Sequence, residues 1–83
     1  MQKKPKRFVE IIWTDIISNA TWHDHEDICT PAVMTTRGWL VKETPDWVCV
    51  CASMEIAGDE VRQIGDSISI PRGVIKSMKN VGG

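Results

Sequence analysis

Hydrophobic and polar residues alternate along several short segments of the chain. Within Arg7 to Asp15, a β-branched and aromatic stretch places Val9, Ile11 and Trp13 on one face. Ser67 to Ile70 repeats the alternation and puts both of its isoleucines on the same side. A period of two residues is typical of strands with one buried face, so both segments are predicted to be β-strands.

Three further segments complete the predicted strands. Met34 to Lys42 and Trp47 to Met54 are two of them, and Glu43 to Asp46 between them carries the proline and aspartate of a tight turn, which favours a hairpin. Val74 to Val81 is the last predicted strand. It follows Pro71-Arg72-Gly73, which suits a short 3-10 turn because proline has no N–H for strand pairing.

Two polar segments separate these strands. Ser18 to Thr30 is polar and broken, and we predict a long loop with one helical turn and with Trp22 as its apolar anchor. Glu55 to Asp66 contains Gly58 and Gly65 and is predicted to be a connection that carries a turn and part of a strand. Regular β structure is therefore expected mainly outside these two segments.

The length of 83 residues leaves room for one hydrophobic core, because so short a chain cannot divide its buried surface between two. Five short strands, a long loop after the first and a 3-10 turn before the last are the layout of a small SH3-like or Sm-like barrel. A closed barrel hides the edges of its sheet, which suits a small core. We therefore predict an all-β, five-stranded barrel over residues 8–81, preceded by a basic flexible N-terminal tail over residues 1–7.

The composition is that of a globular protein, with 42% hydrophobic and 25% charged residues and a net charge of -1. This balance excludes a highly basic nucleic-acid coat and a disordered acidic tail. No stretch approaches the roughly 18 apolar residues of a membrane span, and no apolar segment of signal-peptide type follows the charged start. We expect a cytoplasmic protein without membrane contact, in which Cys29, Cys49 and Cys51 are reduced thiols.

The one cluster of ligand-type residues lies in the long loop. His23, His25 and Cys29 are candidates for a transition-metal site, but their spacing is too compact for a zinc framework, and a solvated acidic loop is the alternative. Cys49 and Cys51 share a strand face and are expected to pack as small hydrophobes. The sequence has neither a nucleophile elbow nor a phosphate loop, so we expect no catalysis and no cofactor.

Tryptophan is the most unusual part of the composition, with four residues against one Phe and no Tyr. A core this small cannot readily enclose four indoles that each need an N–H partner. We therefore expect an aromatic interaction surface that includes Trp22, Trp39 and Trp47, because tryptophan is enriched at interfaces. Assembly into a homo-oligomer through the barrel edges would cover such a surface.

Basic residues gather near the two ends of the chain. The candidates for nucleic-acid binding among them are Lys3, Lys4, Lys6, Arg7, Arg72 and Lys76. Because the first and last strands of a small barrel commonly pair, these side chains are expected to form one positive patch that attracts phosphates. Ordinary solubility is the alternative explanation at this net charge.

Two resemblances extend this interpretation. Trp13-x-Asp15, Trp22, Thr36 to Glu43 and Ile68 to Ile75 together resemble small SH3-like β-barrel proteins of unknown function that tailed bacteriophages encode. The resemblance spans about Val9 to Val81. It implies a phage origin, the cytoplasm of the host cell and very little chemistry.

The second resemblance is to Sm-like proteins, which form rings that bind single-stranded RNA. Gly38-Trp39-Leu40 is similar to the glycine-x-leucine of the first Sm motif, and Arg72-Gly73 to the arginine-glycine of the second. The asparagine of the first motif has no counterpart, since Trp47 follows Asp46 here. The resemblance therefore implies ring assembly without carrying base recognition in a ring pore to this chain.

These observations support two hypotheses about function. The first is a non-catalytic, phage-type interaction module that acts by self-assembly or by binding a phage or host protein through Trp22, Trp39 and Trp47. The second is an Sm-like, oligomeric binder of RNA or other single-stranded nucleic acid that uses the basic patch.

Overall fold

The computed structural model describes residues 2–82 and contains one antiparallel β-sheet with two short 3-10 turns. Its strands are β1 (Gln2–Lys3), β2 (Phe8–Asp15), β3 (Ala32–Glu43), β4 (Trp47–Ala57), β5 (Glu60–Pro71) and β6 (Ile75–Asn80). The 3-10 turns are His25–Asp27 and Arg72–Val74. The strands lie in the order β1-β5-β4-β3-β2-β6. The prediction of an all-β protein is therefore confirmed.

The hydrophobic core is formed by alternate residues of β2 together with residues of β4 and β5. Val9 and Ile11 are fully buried, as their shared face on β2 predicts. The core consists of Val9, Ile11, Val48, Val50 and Ile70, and half-buried Trp13, Leu40, Ile68, Val74, Ile75 and Met78 pack against it. Because burying one large aliphatic side chain contributes about 1.5–3 kcal/mol, this cluster is the main source of stability.

Strand β3 changes partners along its length. Its residues from Ala32 to Trp39 pair with β2, whereas those from Trp39 to Glu43 pair with β4. Gly38 lies beside this change of partner, and a Cβ atom added there would lie 2.8 Å from the backbone oxygen of Cys51. Glycine is therefore the residue that lets β3 and β4 approach so closely. A register shift after Leu40 bends β3 further.

The hairpin of β4 and β5 is longer than the sequence predicts. Pairing continues to Ala57 opposite Glu60, and Gly58, with a φ of 64°, occupies the first position of the two-residue turn. The segment Glu55 to Asp66, predicted to be mainly a connection, is instead almost entirely strand. The outer half of this hairpin is largely exposed, so its strands have no buried face that a hydrophobic pattern would reveal.

The sheet is not closed, in contrast to the predicted barrel. Within residues 2–82, β1 and β6 are the two edges, and no backbone ladder joins them. The 3-10 turn Arg72–Val74 leads directly from β5 to β6, which pairs with Val9 to Trp13 at the other end of the strand order. Because the steps from Pro71 to Ile75 span at most about 14 Å, the sheet curls so that these strands approach each other without a ladder between them. Among the described strands, only β1 pairs with the outer edge of β5, at Glu60 and Val61. The sheet is thus open, and the described chain as a whole is elongated, with extents of 56 × 23 × 22 Å.

A long loop, residues 16–31, joins β2 to β3. It is exposed throughout and contains one 3-10 turn, as the sequence predicts. The loop leaves the sheet where Asp15 pairs with Ala32, seven residue pairs away from the pair of Phe8 and Trp39. At about 3.3 Å per residue, seven pairs separate these two points by roughly 23 Å along the hairpin.

Candidate functional site

A groove runs beside the N-terminal tail, near the β1 edge of the sheet. Two cavities, of about 560 and 610 Å³, share Lys3 and Pro5 in their walls. Their other lining residues include Lys4, Lys6, Trp39 and Asp59 for the first, and Lys42, Trp47, Arg62 and Ile64 for the second. Both volumes fall within the roughly 300–1,000 Å³ that is typical of ligand sites. We call the two cavities together the basic groove.

The tail is held in the groove wall by its backbone. β1 pairs with Glu60 and Val61 of β5, and the Lys4 N–H donates to the backbone oxygen of Asp59 at 2.8 Å. The facing walls come from β3, β4 and β5. The basic groove therefore depends on the register between segments that are far apart in the sequence.

The cations of the basic groove form no ion pair within residues 2–82. They are Lys3, Lys4, Lys6, Lys42 and Arg62, all exposed, which is half of the chain's 10 lysines and arginines. Four of the other five are ion-paired with Glu10 or Glu43. The one carboxylate in the groove walls is Asp59. Uncompensated positive charge is thus concentrated in the groove, which is the condition for attracting an anionic ligand.

Two tryptophans stand in the walls of the basic groove. Trp39 and Trp47 are half-buried and line one cavity each. Phe8 packs edge-on against Trp39, with 5.1 Å between ring centroids, which fixes that indole. The Lys42 Nζ lies 5.8 Å from the centroid of the Trp47 ring, a cation–π contact. Aromatic faces beside unpaired cations can stack a planar group and bind an anion attached to it.

The structure separates the basic residues that the sequence places in one patch. Those that line the basic groove are Lys3, Lys4 and Lys6. Arg7 and Arg72 instead both bind Glu43, at 3.3 and 3.0 Å. Lys76 is exposed on β6 and does not line the groove. Because Glu43 offsets the charge of both arginines, the groove offers an anion more free positive charge than the region around the last strand.

A second ion-pair network lies on β2. Glu10 is the one charged residue that is buried among those described, and it binds Arg37 at 2.7 Å and Lys79 at 3.6 Å. The hydrogen bond from Arg37 is the main cause that holds the pKa of Glu10 below its ordinary value of 4.5, against the opposing effect of desolvation. The ionised carboxylate therefore ties β2 to both of its neighbours, β3 and β6.

The candidate metal ligands of the long loop do not converge. Among the residues that the structure describes, no three histidine, cysteine or carboxylate side chains are grouped as a metal site requires. His23 Nδ1 lies 2.8 Å from the backbone oxygen of Thr21, and Cys29 Sγ lies 3.8 Å from that of Ile17. The geometry therefore adds no support for a metal site at His23, His25 and Cys29.

The two cysteines of β4, Cys49 and Cys51, are buried. Desolvation raises the pKa of the Cys51 thiol, and the nearby Cys49 raises it further. A thiol with a raised pKa carries little thiolate at neutral pH, so it is a poor nucleophile and metal ligand. Their burial agrees with the predicted packing role.

Trp22 lies apart from the other two tryptophans that the sequence assigns to an interaction surface. It is fully exposed in the long loop, on which Ile16 and Ile28 are largely exposed too. The prediction that Trp22 anchors the loop is therefore wrong, because the loop leaves the sheet beyond the core and meets no apolar surface there. Residues 16–31 carry three carboxylates and no lysine or arginine, and Asp15 precedes them at the end of β2. The loop is thus both acidic and apolar.

Sequence reasoning misses Lys42 and Arg62 as site residues. Lys42 ends a strand that the sequence predicts, but nothing in that segment indicates that the tail and β5 lie beside it. Arg62 lies in a strand segment that the hydrophobic pattern does not define. The signal that would have found Arg62 is Gly58-Asp59, a pair that suits a two-residue hairpin turn and would have extended β5 back to this arginine.

Comparison with protein-family models, curated proteins and solved structures finds no match to this chain. No helix within residues 2–82 is long and apolar enough to cross a membrane. The indications of function are therefore the basic groove and the long loop themselves.

Proposed function

We propose that the protein is a non-catalytic module that binds single-stranded nucleic acid in the basic groove. The proposal is carried by the grouping of five cations, which have no ion pair within residues 2–82, with two tryptophan faces. Proteins that hold single strands combine a positive channel for the backbone with aromatic rings on which bases stack. The basic groove offers both.

The groove residues divide between the two parts of such a ligand. The lysines of the tail, with Lys42 and Arg62, attract phosphates, while Trp39 and Trp47 provide stacking faces for bases. A single strand suits the groove better than a duplex, because duplex bases already stack on each other and cannot lie against an indole.

The fold also supports the proposal that the protein is an opened relative of the SH3-like or Sm-like barrel. β6 returns to pair with β2, a 3-10 turn precedes it, and Gly38 lets β3 bend between two partners. The return of the last strand to the first and the short turn before it support this proposal, because the sequence-predicted layout of a small five-stranded barrel has the same order. A phage origin and a place in the host cytoplasm stay predictions that follow from the resemblance.

Fluorescence anisotropy with labelled oligo(U) and oligo(dT) tests the proposed function. We expect both single strands to bind and a duplex of equal length to bind much more weakly. If about three to five phosphates are engaged, affinity should fall about 20- to 100-fold between about 50 and 200 mM salt. Wild-type protein that binds neither single strand at the lower salt concentration would contradict the function.

Two matched charge reversals locate the site. Arg62 lines the basic groove, whereas Lys76 is an exposed cation outside it. We expect Arg62→Glu to weaken oligonucleotide binding about tenfold or more, and Lys76→Glu to weaken it less than about threefold, because screening limits the effect of distant charges. Equal losses from the two reversals would place binding elsewhere.

Protein contact through the long loop is a second candidate function. The observation that favours it is the full exposure of Trp22 beside Ile16 and Ile28. Tryptophan is prominent among the residues that dominate binding energy at protein interfaces. Trp22→Ala should then abolish protein association without weakening oligonucleotide binding, and loss of both activities would contradict two separate surfaces.

A further inference from the structure

We infer that the long loop of one copy docks into the basic groove of a second copy, so that the protein associates head to tail. The inference rests on the groove of the proposed function, but it needs no nucleic acid. The occupant of the groove in this arrangement is residues 16–31 of the neighbouring molecule.

Charge complementarity is the first support for this arrangement. The basic groove has five cations and one carboxylate in its walls, while residues 16–31 carry three carboxylates, Asp24, Glu26 and Asp27, and no lysine or arginine. A loop and a groove from different copies therefore attract each other, whereas two loops or two grooves repel. The charges therefore favour contact between a loop and a groove over contact between two like surfaces.

The exposed apolar side chains of the loop and the open cavities of the groove also favour this contact. The Trp22 indole is fully exposed, with exposed Ile16 and Ile28 on the same loop. The groove has open cavities bounded by Pro5, Trp39 and Trp47. An inserted indole would stack where a base stacks, and the loop carboxylates would take the place of phosphates.

The loop does not fill the groove of its own chain. It leaves the sheet roughly 23 Å from Trp39 along the β2–β3 hairpin, by the rise of about 3.3 Å per residue. Trp22 also has no contact that covers it within the described chain, since its side chain is fully exposed. A second molecule is therefore the occupant that this geometry favours.

Such a contact joins two different surfaces, so each added copy leaves one free loop and one free groove. Interfaces of this kind build rings when the rotation closes and open chains when it does not. Because the loop and a nucleic acid occupy the same groove, adding an oligonucleotide should break the assembly into monomers. Self-association would then regulate access to the groove.

Sedimentation velocity on complementary variants tests the inference. The loop variant is Trp22→Ala with Asp24→Asn, and the groove variant is Lys42→Glu with Arg62→Glu; all four side chains are exposed. We expect wild-type protein to exceed the monomer mass at about 50 mM salt and to be monomeric at about 500 mM, since salt screens the contact. Each variant alone should be monomeric, and their equal mixture should double the mass and stop at a dimer.

Control variants keep the test specific. Ile56→Ala removes an exposed apolar side chain outside the loop, and Lys76→Glu reverses a charge outside the groove. Both should associate as the wild type does. A wild type that is monomeric at low salt, a groove variant that still associates, or a mixture that stays monomeric would each overturn the inference.

Failure of the self-association inference can be distinguished from failure of the nucleic-acid proposal. A mixed dimer from a protein that binds no oligonucleotide would support the inference and refute the nucleic-acid proposal. Oligonucleotide binding by a protein that stays monomeric at low salt would do the reverse.

Discussion

At Gly38, the absence of a side chain allows two strands to meet. Any larger residue brings its Cβ to 2.8 Å from the Cys51 backbone oxygen and 3.3 Å from the Val50 side chain. Both neighbours belong to the buried part of β4, so neither can move aside without disturbing the core.

Gly38→Ala should therefore destabilise the protein. We expect the free energy of unfolding to fall by about 1–3 kcal/mol, the usual range for an overpacked core. The control is Gly65→Ala, whose new Cβ would lie 3.7 Å from that of Ser53, an ordinary contact. Urea unfolding compares the two, and equal stabilities would show that β3 and β4 can separate at Gly38 without cost.

Glu10 makes the stability of the fold depend on pH. Its pKa is lower in the folded chain than its ordinary value of 4.5, chiefly because Arg37 donates a hydrogen bond to it. The ionised carboxylate therefore stabilises the fold above about pH 4.5, and this contribution is lost as the pH falls through the lowered folded value. Glu10→Gln should lower the melting temperature at pH 7.

The pH series distinguishes this effect from a loss of packing. The difference in melting temperature between wild type and Glu10→Gln should shrink as the pH falls below the folded pKa of Glu10. Glu55→Gln is the control, because Glu55 forms no ion pair within residues 2–82 and is exposed. A difference for Glu10→Gln that stays constant down to acid pH would contradict the ion-pair explanation.

Among the elements, β1 contributes to the groove more than to the core. Its two residues pair with Glu60 and Val61, and the core cluster contains no residue of the tail. The tail that β1 anchors brings three of the five groove lysines and arginines into position, Lys3, Lys4 and Lys6. Stability and binding are therefore expected to depend on it very differently.

Deleting residues 2–6 should separate the effect of the tail on stability from its effect on binding. We expect the free energy of unfolding to change by less than about 1 kcal/mol, because only two residue pairs and little apolar area are lost. Oligonucleotide affinity should fall about tenfold or more as three phosphate-binding cations disappear. The control that keeps the backbone is the triple change of Lys3, Lys4 and Lys6 to Gln, and unchanged affinity in that variant would contradict a role for their charge.

Local patterns suffice for some elements and not for others. The alternation at Val9 and Ile11 and the proline before Arg72 identify β2 and the second 3-10 turn, because core burial and turn chemistry leave a trace in neighbouring residues. The outer half of the β4–β5 hairpin leaves no such trace, since its strands are held by pairing beyond the core.

The candidate site is predictable only in part for a related reason. Its tryptophans and tail lysines stand out in the composition, but Lys42 and Arg62 reach the groove through the register of three strands. Likewise, the binding of Arg7 and Arg72 to one carboxylate, Glu43, depends on contacts between residues far apart in the sequence. The periodicity of hydrophobic residues within one segment cannot predict these long-range contacts.

At the scale of the whole molecule, the open sheet gives an unusual shape. A compact chain of 83 residues should have a radius of gyration of about 12 Å. The Cα atoms of this protein give 16.2 Å. The difference arises because the β2–β3 loop and the β4–β5 hairpin extend away from a small core.

Small-angle X-ray scattering tests this shape. At about 500 mM salt, where screening suppresses self-association, we expect a radius of gyration nearer to 16.2 Å than to the compact value. The loop variant Trp22→Ala with Asp24→Asn is the control, since it should give the same radius at low and high salt. A radius near about 12 Å would indicate a closed barrel.

The pairing of β2 with β6 has a consequence for the nascent chain. β3 follows β2 closely from the ribosome, but the other edge of β2 has no partner until Ile75 to Asn80 have been made. At a synthesis rate of about 5–20 residues per second, that edge stays unpaired for several seconds. During this time Val9 and Ile11 lack the strand that completes their burial. The growing polypeptide therefore exposes an unpaired strand edge that chaperones or other nascent chains can bind.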